Sequence, residues 1–129
     1  MDMRAVSEQD IEEIKGWLRL HKQSDIDERH LDPQGGLIVP GVMVMFYTMT
    51  NRSMMWVDTL ISNPYAELSA RHEAGKLFAS ALYEIAKANK IKRMYFLTRN
   101  KAVARYYAKC VFATKVNDFE LYKTEFIWD

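Results

Sequence analysis

The segment NKAVARYYAKCVF, residues 100–112, carries two adjacent tyrosines in an apolar run with three cations. Asn100 is a good helix N-cap, because its side chain accepts a hydrogen bond from a backbone N–H of the first turn. Val103 and Tyr107 are four residues apart and therefore share one face of that helix. A tyrosine near a helix end buries its ring and keeps its hydroxyl at the edge, where the hydroxyl can meet a ligand. Packing between helix and sheet is the alternative explanation of Tyr107.

Other groups that commonly carry chemistry are scarce. Cys110 is the single cysteine, so it cannot form an intramolecular disulfide, and this fits a reducing, cytoplasmic environment. The histidines His21, His30 and His72 show no metal-ligand spacing and the cysteine lies far from them. We therefore expect no metal site.

Length and composition indicate one globular domain spanning residues 1–129. No run of 18 apolar residues occurs, so no membrane span is expected. The N-terminal MDMRAVSEQD is polar and acidic, which does not fit a signal peptide.

The charge is unevenly distributed. Residues 1–32 hold nine acids and five bases, whereas residues 33–129 hold thirteen bases and eight acids. Nine cations and no acid lie between Ile85 and Asn117. An anionic ligand on the C-terminal half, or a solvated helix face, explains this bias. Duplex nucleic acid is not expected as a partner, because the whole chain is near neutral and no groove-reading motif occurs.

The pattern of apolar residues and turn signals predicts the order β-α-(α)-β-β-β-α-β-α-β-β. The first helix begins at Ser7, which forms a capping-box pattern with Asp10. Predicted strands are DMRAV (2–6), GLIV (36–39), VMVMFYTMT (42–50), MMWVDTLIS (54–62), RMYFLT (93–98), VFATKV (111–116) and FELYKTEFIW (119–128); the long helix spans about 66–89. The central strand–helix–strand unit implies a right-handed parallel crossover, while the flanks are hairpins. The predicted fold class is therefore α/β, with a mixed, mostly antiparallel sheet of six to seven strands and helices on both faces.

This order resembles the GCN5-related N-acetyltransferase (GNAT) superfamily, whose fold is acyl-CoA N-acyltransferase-like. In that family the helix after the fifth strand commonly reads N-x-x-A-x-x-x-Y-x-x-x-G-F. Asn100, Val103, Tyr107 and Phe112 occupy the matching places, and Val111 stands where glycine is usual. The resemblance implies that the Tyr107 hydroxyl lies near the sulfur of coenzyme A and protonates the departing thiolate. Tyr106, about 100° away around the helix, is the fallback.

The family's pyrophosphate signature, Q/R-x-x-G-x-G/A, lies between the fourth strand and the long helix, where glycines let backbone N–H groups approach the phosphates. The corresponding stretch is NPYAELSARHEAGKLF, residues 63–78. One register uses Ala70, Glu73 and Gly75; the other uses Arg71, Ala74 and Lys76. Either Arg71 and Lys76 supply side-chain charge in place of close backbone approach, or the chain keeps the fold without tight cofactor binding. The predicted binding residues here are Arg71, Ala74, Gly75 and Lys76.

The resemblance also implies acetyl-CoA as cofactor, with its pantetheine arm paired to the backbone of the fourth strand at Leu60, Ile61, Ser62 and Asn63. A primary amine of a small molecule or a protein attacks the thioester directly, so Cys110 is expected to be a small core residue. The amine must lose a proton to a base. Asp58 is the first candidate, because it is the only ionisable residue in MMWVDTLIS; a structural hydrogen bond at the strand end is the alternative. Glu67 and His72 follow.

The favoured function is therefore a cytoplasmic acetyl-CoA-dependent N-acetyltransferase with an unidentified amine acceptor. The alternative is a non-catalytic acetyltransferase-like protein that binds a protein partner, such as a phage virion or internal protein. A nucleic-acid-associated role for the basic stretch 87–109 is a third.

The cluster Trp17, Met54, Met55 and Trp56 either lines an acceptor pocket or packs in the core. The terminal strands could complete a homodimer interface.

Overall fold

The computed structural model of the chain describes residues 1–21, 31, 35–50, 53–97, 105, 108–110, 114–115 and 121–128. The strands are β1 (Arg4–Ala5), β2 (Gly36–Val39), β3 (Met43–Thr50), β4 (Met54–Ser62), β5 (Arg93–Leu97), β6 (Thr114–Lys115) and β7 (Leu121–Glu125). The helices are a 3₁₀ turn (Glu8–Asp10), α1 (Ile11–His21) and α2 (Leu68–Ala88). The predicted strands at 36–39 and 54–62 have the predicted bounds. The bracketed second helix of the predicted order, expected within residues 21–34, lies almost entirely outside the described residues.

The described strands form one seven-stranded sheet in the order β1-β2-β3-β4-β5-β7-β6. β4 and β5, which flank α2, pair in parallel. The pairs β1–β2, β2–β3, β5–β7 and β6–β7 are antiparallel. The predicted parallel crossover and the mixed, mostly antiparallel sheet are therefore confirmed. The placement of helices on both faces stays a prediction.

The chain divides into two compact units. Unit 1 comprises Met1–Phe46 and Thr59–Ala74, and unit 2 comprises Tyr47–Asp58 and Gly75–Asp129. Strands β3 and β4 each contribute residues to both units. The single domain over residues 1–129 stays a prediction.

The core of unit 1 forms around α1. Ile14, Trp17 and Leu18 recur at helical spacing and are all buried, as the apolar stripe in the sequence predicts. They cluster with buried Val6, Ile38, Val44, Phe46 and Ile61. Core packing, not an acceptor pocket, is therefore the role of Trp17.

An ion pair between the half-exposed Arg4 and the buried Asp10 fixes the start of α1 to strand β1. Asp10 is only 6% exposed. Its carboxylate accepts two hydrogen bonds of 2.7 Å from the Arg4 guanidinium, one at each oxygen. Oδ2 also accepts from the Ser7 N–H at 2.7 Å and from the Ser7 hydroxyl at 3.1 Å. These bonds, with those from Arg4 contributing most, hold the pKa of Asp10 far below its usual range, although burial opposes the shift.

In unit 2 the last strand is shorter than predicted. FELYKTEFIW was expected to be extended to its end, but β7 stops at Glu125. The Phe126 N–H bonds the Lys92 carbonyl, and the Trp128 indole N–H bonds the Ile91 carbonyl, both at 2.8 Å. The rings of Phe126 and Trp128 stack at 5.0 Å and both meet Tyr83 of α2 edge-on. The aromatic tail therefore leaves the ladder to pack against the helix.

Replacing Asp10 by Asn should lower the free energy of unfolding at pH 7 by about 2 kcal/mol. The reason is that a hydrogen bond to a charged group contributes roughly 1.5–3 kcal/mol. The folded pKa lies below the unfolded value of about 3.9. The parent's advantage is therefore fully present above that value and is lost as pH falls through it towards the folded pKa. Urea unfolding at about pH 7 and about pH 3 should show the difference between parent and Asp10→Asn shrinking at the lower pH. Glu8→Gln, an exposed carboxylate of the same turn, is the control; a gap independent of pH would contradict the role of the Asp10 charge.

Two glycines make a matched pair for testing the core of unit 1. A Cβ added at Gly36 would lie 2.7 Å from Val6 Cγ2 and 2.9 Å from Phe46 Cδ1, whereas one added at Gly16 would meet nothing within 4 Å. Gly36→Ala should therefore destabilise by about 1–3 kcal/mol through overpacking. Gly16→Ala, within α1, should stabilise by roughly 0.5–1 kcal/mol. Calorimetric melting measures both, and a Gly36→Ala variant as stable as the parent would refute the close approach.

Candidate functional site

The predicted cofactor strand, β4, extends past its described parallel register with β5. That register runs from Met54↔Arg93 to Val57↔Phe96, whereas β4 continues to Ser62. Asp58, Leu60, Ile61 and Ser62 all lie in this extension. Leu60 and Ser62 are half-buried, and Ile61 belongs to the core of unit 1. The backbone of Asp58 is in the strand, but its side chain lies outside the described residues, so its role as base stays a prediction.

A polar turn built on Asn63 ends β4. Its backbone N–H donates to the Val42 carbonyl at 2.8 Å, and its carbonyl accepts from the Ala66 N–H at 3.1 Å. Its side-chain Nδ2 donates to the Gly41 carbonyl at 2.9 Å, and Oδ1 accepts from the Tyr65 N–H at 3.0 Å. Asn63 therefore already holds bonds through both backbone groups and both side-chain atoms, which explains why the strand stops there.

His21, the last residue of α1, contacts the same strand end. Its Nε2 lies 2.7 Å from the Ser62 carbonyl oxygen and 3.4 Å from Ser62 Oγ. Because a carbonyl only accepts, Nε2 carries the hydrogen in this bond. In the sequence, His21 stands out only as a possible metal ligand, and its contact with Ser62 is not predicted. No local signal could have revealed it, since the two residues are 41 apart.

Helix α2 begins before the residues predicted to cradle phosphate. Its first residue is Leu68, and the Arg71 N–H already bonds the Glu67 carbonyl at 3.0 Å. Ala74 and Gly75 are buried within the helix, where backbone N–H groups bond carbonyls four residues earlier. Neither predicted register therefore forms a loop, and backbone donors without helical partners are available only in the first turn, from Leu68.

Arg71 has an unusual local environment in unit 1. The residue is half-buried, and its Nε is buried without a hydrogen-bond partner among the described residues. Leaving a buried donor unsatisfied costs about 1–3 kcal/mol. Because that atom has almost no accessible surface, an anionic ligand accepts from Nε only once the side chain turns to expose it, and this bond removes the cost. A phosphate oxygen has the chemistry for that bond, since guanidinium groups bind phosphate through charge-assisted hydrogen bonds.

Lys76 lies in unit 2, on a cavity of about 620 Å³. That volume is within the range of small-molecule sites. Its described lining includes Lys76, Ala79, Ser80, Tyr83, Glu84, Met94, Cys110, Thr124, Glu125, Phe126, Ile127 and Trp128. The carboxylates of Glu84 and Glu125 in this lining would repel a phosphate ligand. The Lys123 Nζ lies 2.9 Å from Glu125, where it offsets that charge and lowers the pKa of Glu125.

The predicted catalytic helix is mostly outside the described residues. Arg105 and residues 108–110 are helical, in agreement with the predicted element. Asn100, Val103, Tyr106 and Tyr107 lie outside the described residues, so their proposed roles stay predictions. Cys110 is a free, half-buried thiol.

Two further members of the Trp-Met cluster, Met55 and Trp56, make packing contacts. Met55 is fully buried, and Trp56 stacks on Tyr95 with ring centroids 5.1 Å apart. Their positions favour the core-packing alternative.

Two kinds of feature are absent from the described part of the chain. No group of three or more His, Cys, Asp or Glu side chains there is arranged to hold a metal ion. No described helix combines the length and apolarity that crossing a bilayer demands.

Comparisons with known proteins found no matching family model and no match among curated proteins. Solved structures do match. A Mycobacterium tuberculosis protein in complex with CoA superposes with a TM-score of 0.70 at 14% identity, covering 91% of this chain and 74% of that one. A GNAT-family acetyltransferase from Bacillus anthracis superposes with a TM-score of 0.70 at 11% identity, covering 95% of this chain and 93% of that one. N-acetylglutamate synthase from Neisseria gonorrhoeae, complexed with coenzyme A and N-acetyl-glutamate, gives 0.67 at 14% identity, covering 96% of this chain but 34% of that one.

These superpositions cover nearly the whole chain, so the protein has the fold of the GNAT acetyltransferases. The fold inferred from strand order and the Asn100–Phe112 motif is thereby confirmed. At these identities the likeness establishes the fold alone.

Proposed function

We propose that this protein is an acetyl-CoA-dependent N-acetyltransferase that transfers an acetyl group to a primary amine on a small molecule or a protein. The superposition of 91% of the chain, at a TM-score of 0.70, on a structure that contains CoA carries this proposal. The N-acetylglutamate synthase match also contains coenzyme A. Structures with this fold therefore accommodate the proposed acyl donor.

The residues around the start of α2 fit a pyrophosphate. The buried Nε–H of Arg71 lacks an acceptor among the described residues. The first-turn N–H groups of α2 form the positive end of the helix dipole, which favours a bound anion. No glycine occurs between Gly41 and Gly75, so the backbone cannot approach the phosphates as closely as in the family signature. Arg71 side-chain charge replaces that approach. Lys76 lines a cavity that also carries the carboxylates of Glu84 and Glu125, which makes it the weaker of the two predicted cations.

The extension of β4 is the proposed site of the pantetheine arm. An extended chain pairs with strand backbone through ordinary ladder hydrogen bonds. Leu60, Ile61 and Ser62 provide that backbone. Asn63, whose groups are bonded within the turn, marks its end.

The proposed reaction needs a base and an acid from this chain. The acceptor nitrogen forms a bond to the acetyl carbon, and the carbon–sulfur bond of the thioester breaks. Asp58, directly or through water, takes the proton that the nitrogen loses. The phenol of Tyr107 gives its proton to the departing thiolate, whose reference pKa is about 8.5. The assignment of Tyr107 rests on the sequence motif, and that of Asp58 on its being the only ionisable residue in MMWVDTLIS.

A second candidate is a non-catalytic acetyltransferase-like domain, including the phage virion alternative. One observation favours it: the helix begins without a glycine, and the signature residues Ala74 and Gly75 lie inside α2. Whether acetyl-CoA binds and stabilises the protein separates the two candidates.

Acetyl-CoA should raise the melting temperature of the protein. At about 100 times its Kd the ligand should stabilise the folded state by roughly 2.7 kcal/mol. Arg71→Gln should reduce this stabilisation, because it removes the charge that meets the pyrophosphate. Lys87→Gln, which removes one exposed charge from the same helix, should leave it unchanged. No shift of the parent at millimolar acetyl-CoA would favour the non-catalytic domain.

Tyr107→Phe should lower kcat by roughly 10²–10⁴-fold with little change in acetyl-CoA affinity, since only proton donation is lost. Steady-state kinetics with the acceptor found by screening amines measures kcat, and calorimetric titration measures affinity. Tyr106→Phe is the matched control and should keep the parent's turnover. Equal turnover of parent and Tyr107→Phe would remove Tyr107 from the mechanism.

A further inference from the structure

The contact between His21 and Ser62 has a defined direction. Asn63 donates its N–H to the Val42 carbonyl, next to the start of β3. The peptide unit joining Ser62 to Asn63 is trans, so its C=O and N–H point in opposite directions. The Ser62 carbonyl therefore points away from β3, and His21 Nε2 meets it there at 2.7 Å.

This direction places His21 on the edge of β4 opposite β3. β5 is the neighbour of β4 on that edge, but its described register ends at Val57↔Phe96. Among the described residues, the part of this edge beyond Val57 is therefore the part proposed for an extended ligand. Backbone groups alternate in direction along a strand, so Leu60 presents its N–H and C=O to the same edge as Ser62. With the Ser62 carbonyl bonded to His21, the remaining backbone groups that the Leu60–Ser62 end of β4 directs to that edge, beyond its described register, are the N–H and C=O of Leu60 and the N–H of Ser62.

We propose that His21 is a positioning residue that ends the pairing edge of β4 and so fixes the register of the acyl donor's pantetheine arm. The proposal rests on the proposed function. A free Ser62 carbonyl would extend the edge and let the arm pair one repeat further along. Two residues of strand correspond to a slip of about 6.6 Å, which would carry the thioester away from the acceptor. The role requires only a hydrogen-bond donor at Nε2. Both the neutral Nε2–H tautomer and the charged imidazolium donate from that atom, so the role does not require His21 to accept a proton.

The test compares His21→Gln, whose side-chain amide donates at a similar reach, with His21→Leu, which removes the donor. Without any ligand, hydrogen exchange of the Asn63 amide, which shares its peptide unit with the Ser62 carbonyl, should quicken in His21→Leu and stay near the parent's rate in His21→Gln. Equal exchange in all three proteins would overturn the proposal, whatever the protein's activity.

With acetyl-CoA and an amine acceptor, His21→Leu should lose about 10²-fold in kcat, as expected for a misplaced reacting group, while His21→Gln keeps most of the parent's turnover. The acidic limb of the kcat profile against pH should be the same in parent and His21→Gln. Loss of that limb in His21→Gln would make His21 a proton acceptor and overturn the positioning role, as would unchanged kcat in His21→Leu. A parent that fails to bind acetyl-CoA would refute the proposed function and with it the register role; the exchange difference would then identify His21 as an anchor of the strand alone.

Discussion

The peptide unit between Ser62 and Asn63 is held from two sides, and the candidate site depends on this constraint. Val42 accepts its N–H and His21 donates to its carbonyl, at 2.8 and 2.7 Å. One bond comes from the β2–β3 turn and the other from the end of α1. Together with the Asn63 side-chain bonds, they set where β4 stops and where the turn into α2 begins. A site that must align an extended ligand benefits from a strand end fixed in this way, since rigid elements position reacting groups better than loops.

The start of α2 provides the complementary electrostatic feature. The Asn63 turn brings the chain to a helix whose first residue is Leu68, and the positive end of the helix dipole lies there. Glycine is absent from this stretch, so close backbone approach is limited and side-chain charge must compensate. Arg71, one turn into the helix with a buried donor that lacks a partner, meets that requirement. The proposed site therefore replaces a glycine-rich cradle by a guanidinium.

Much of this fold could be predicted from the sequence, because local signals agree with it. The apolar run of β2 ends at the turn dipeptide Pro40-Gly41, and that of β4 ends at Asn63-Pro64. These turn signals predict where the two strands stop. The apolar stripe of α1 and the Ser7–Asp10 pattern gave the first helix. Gly75 resembles a signature glycine in sequence, whereas the structure places it as a buried residue within α2. The Arg4–Asp10 pair and the His21–Ser62 bond join residues whose types are unremarkable in sequence; only the fold brings them together. The aromatic tail after Glu125 has strand-like composition, and packing against Tyr83 overrides that preference.

Backbone amide NMR during titration with CoA tests the central claim most directly, because it reports on the β4 edge and the start of α2 residue by residue. Binding of CoA along β4 and the start of α2 should give saturable shifts of the Leu60, Ser62 and Arg71 amides and of the Arg71 Nε–H, while the amides of β1 stay unchanged. Saturable shifts confined to the cavity residues of unit 2, or no shifts at millimolar CoA, would contradict it.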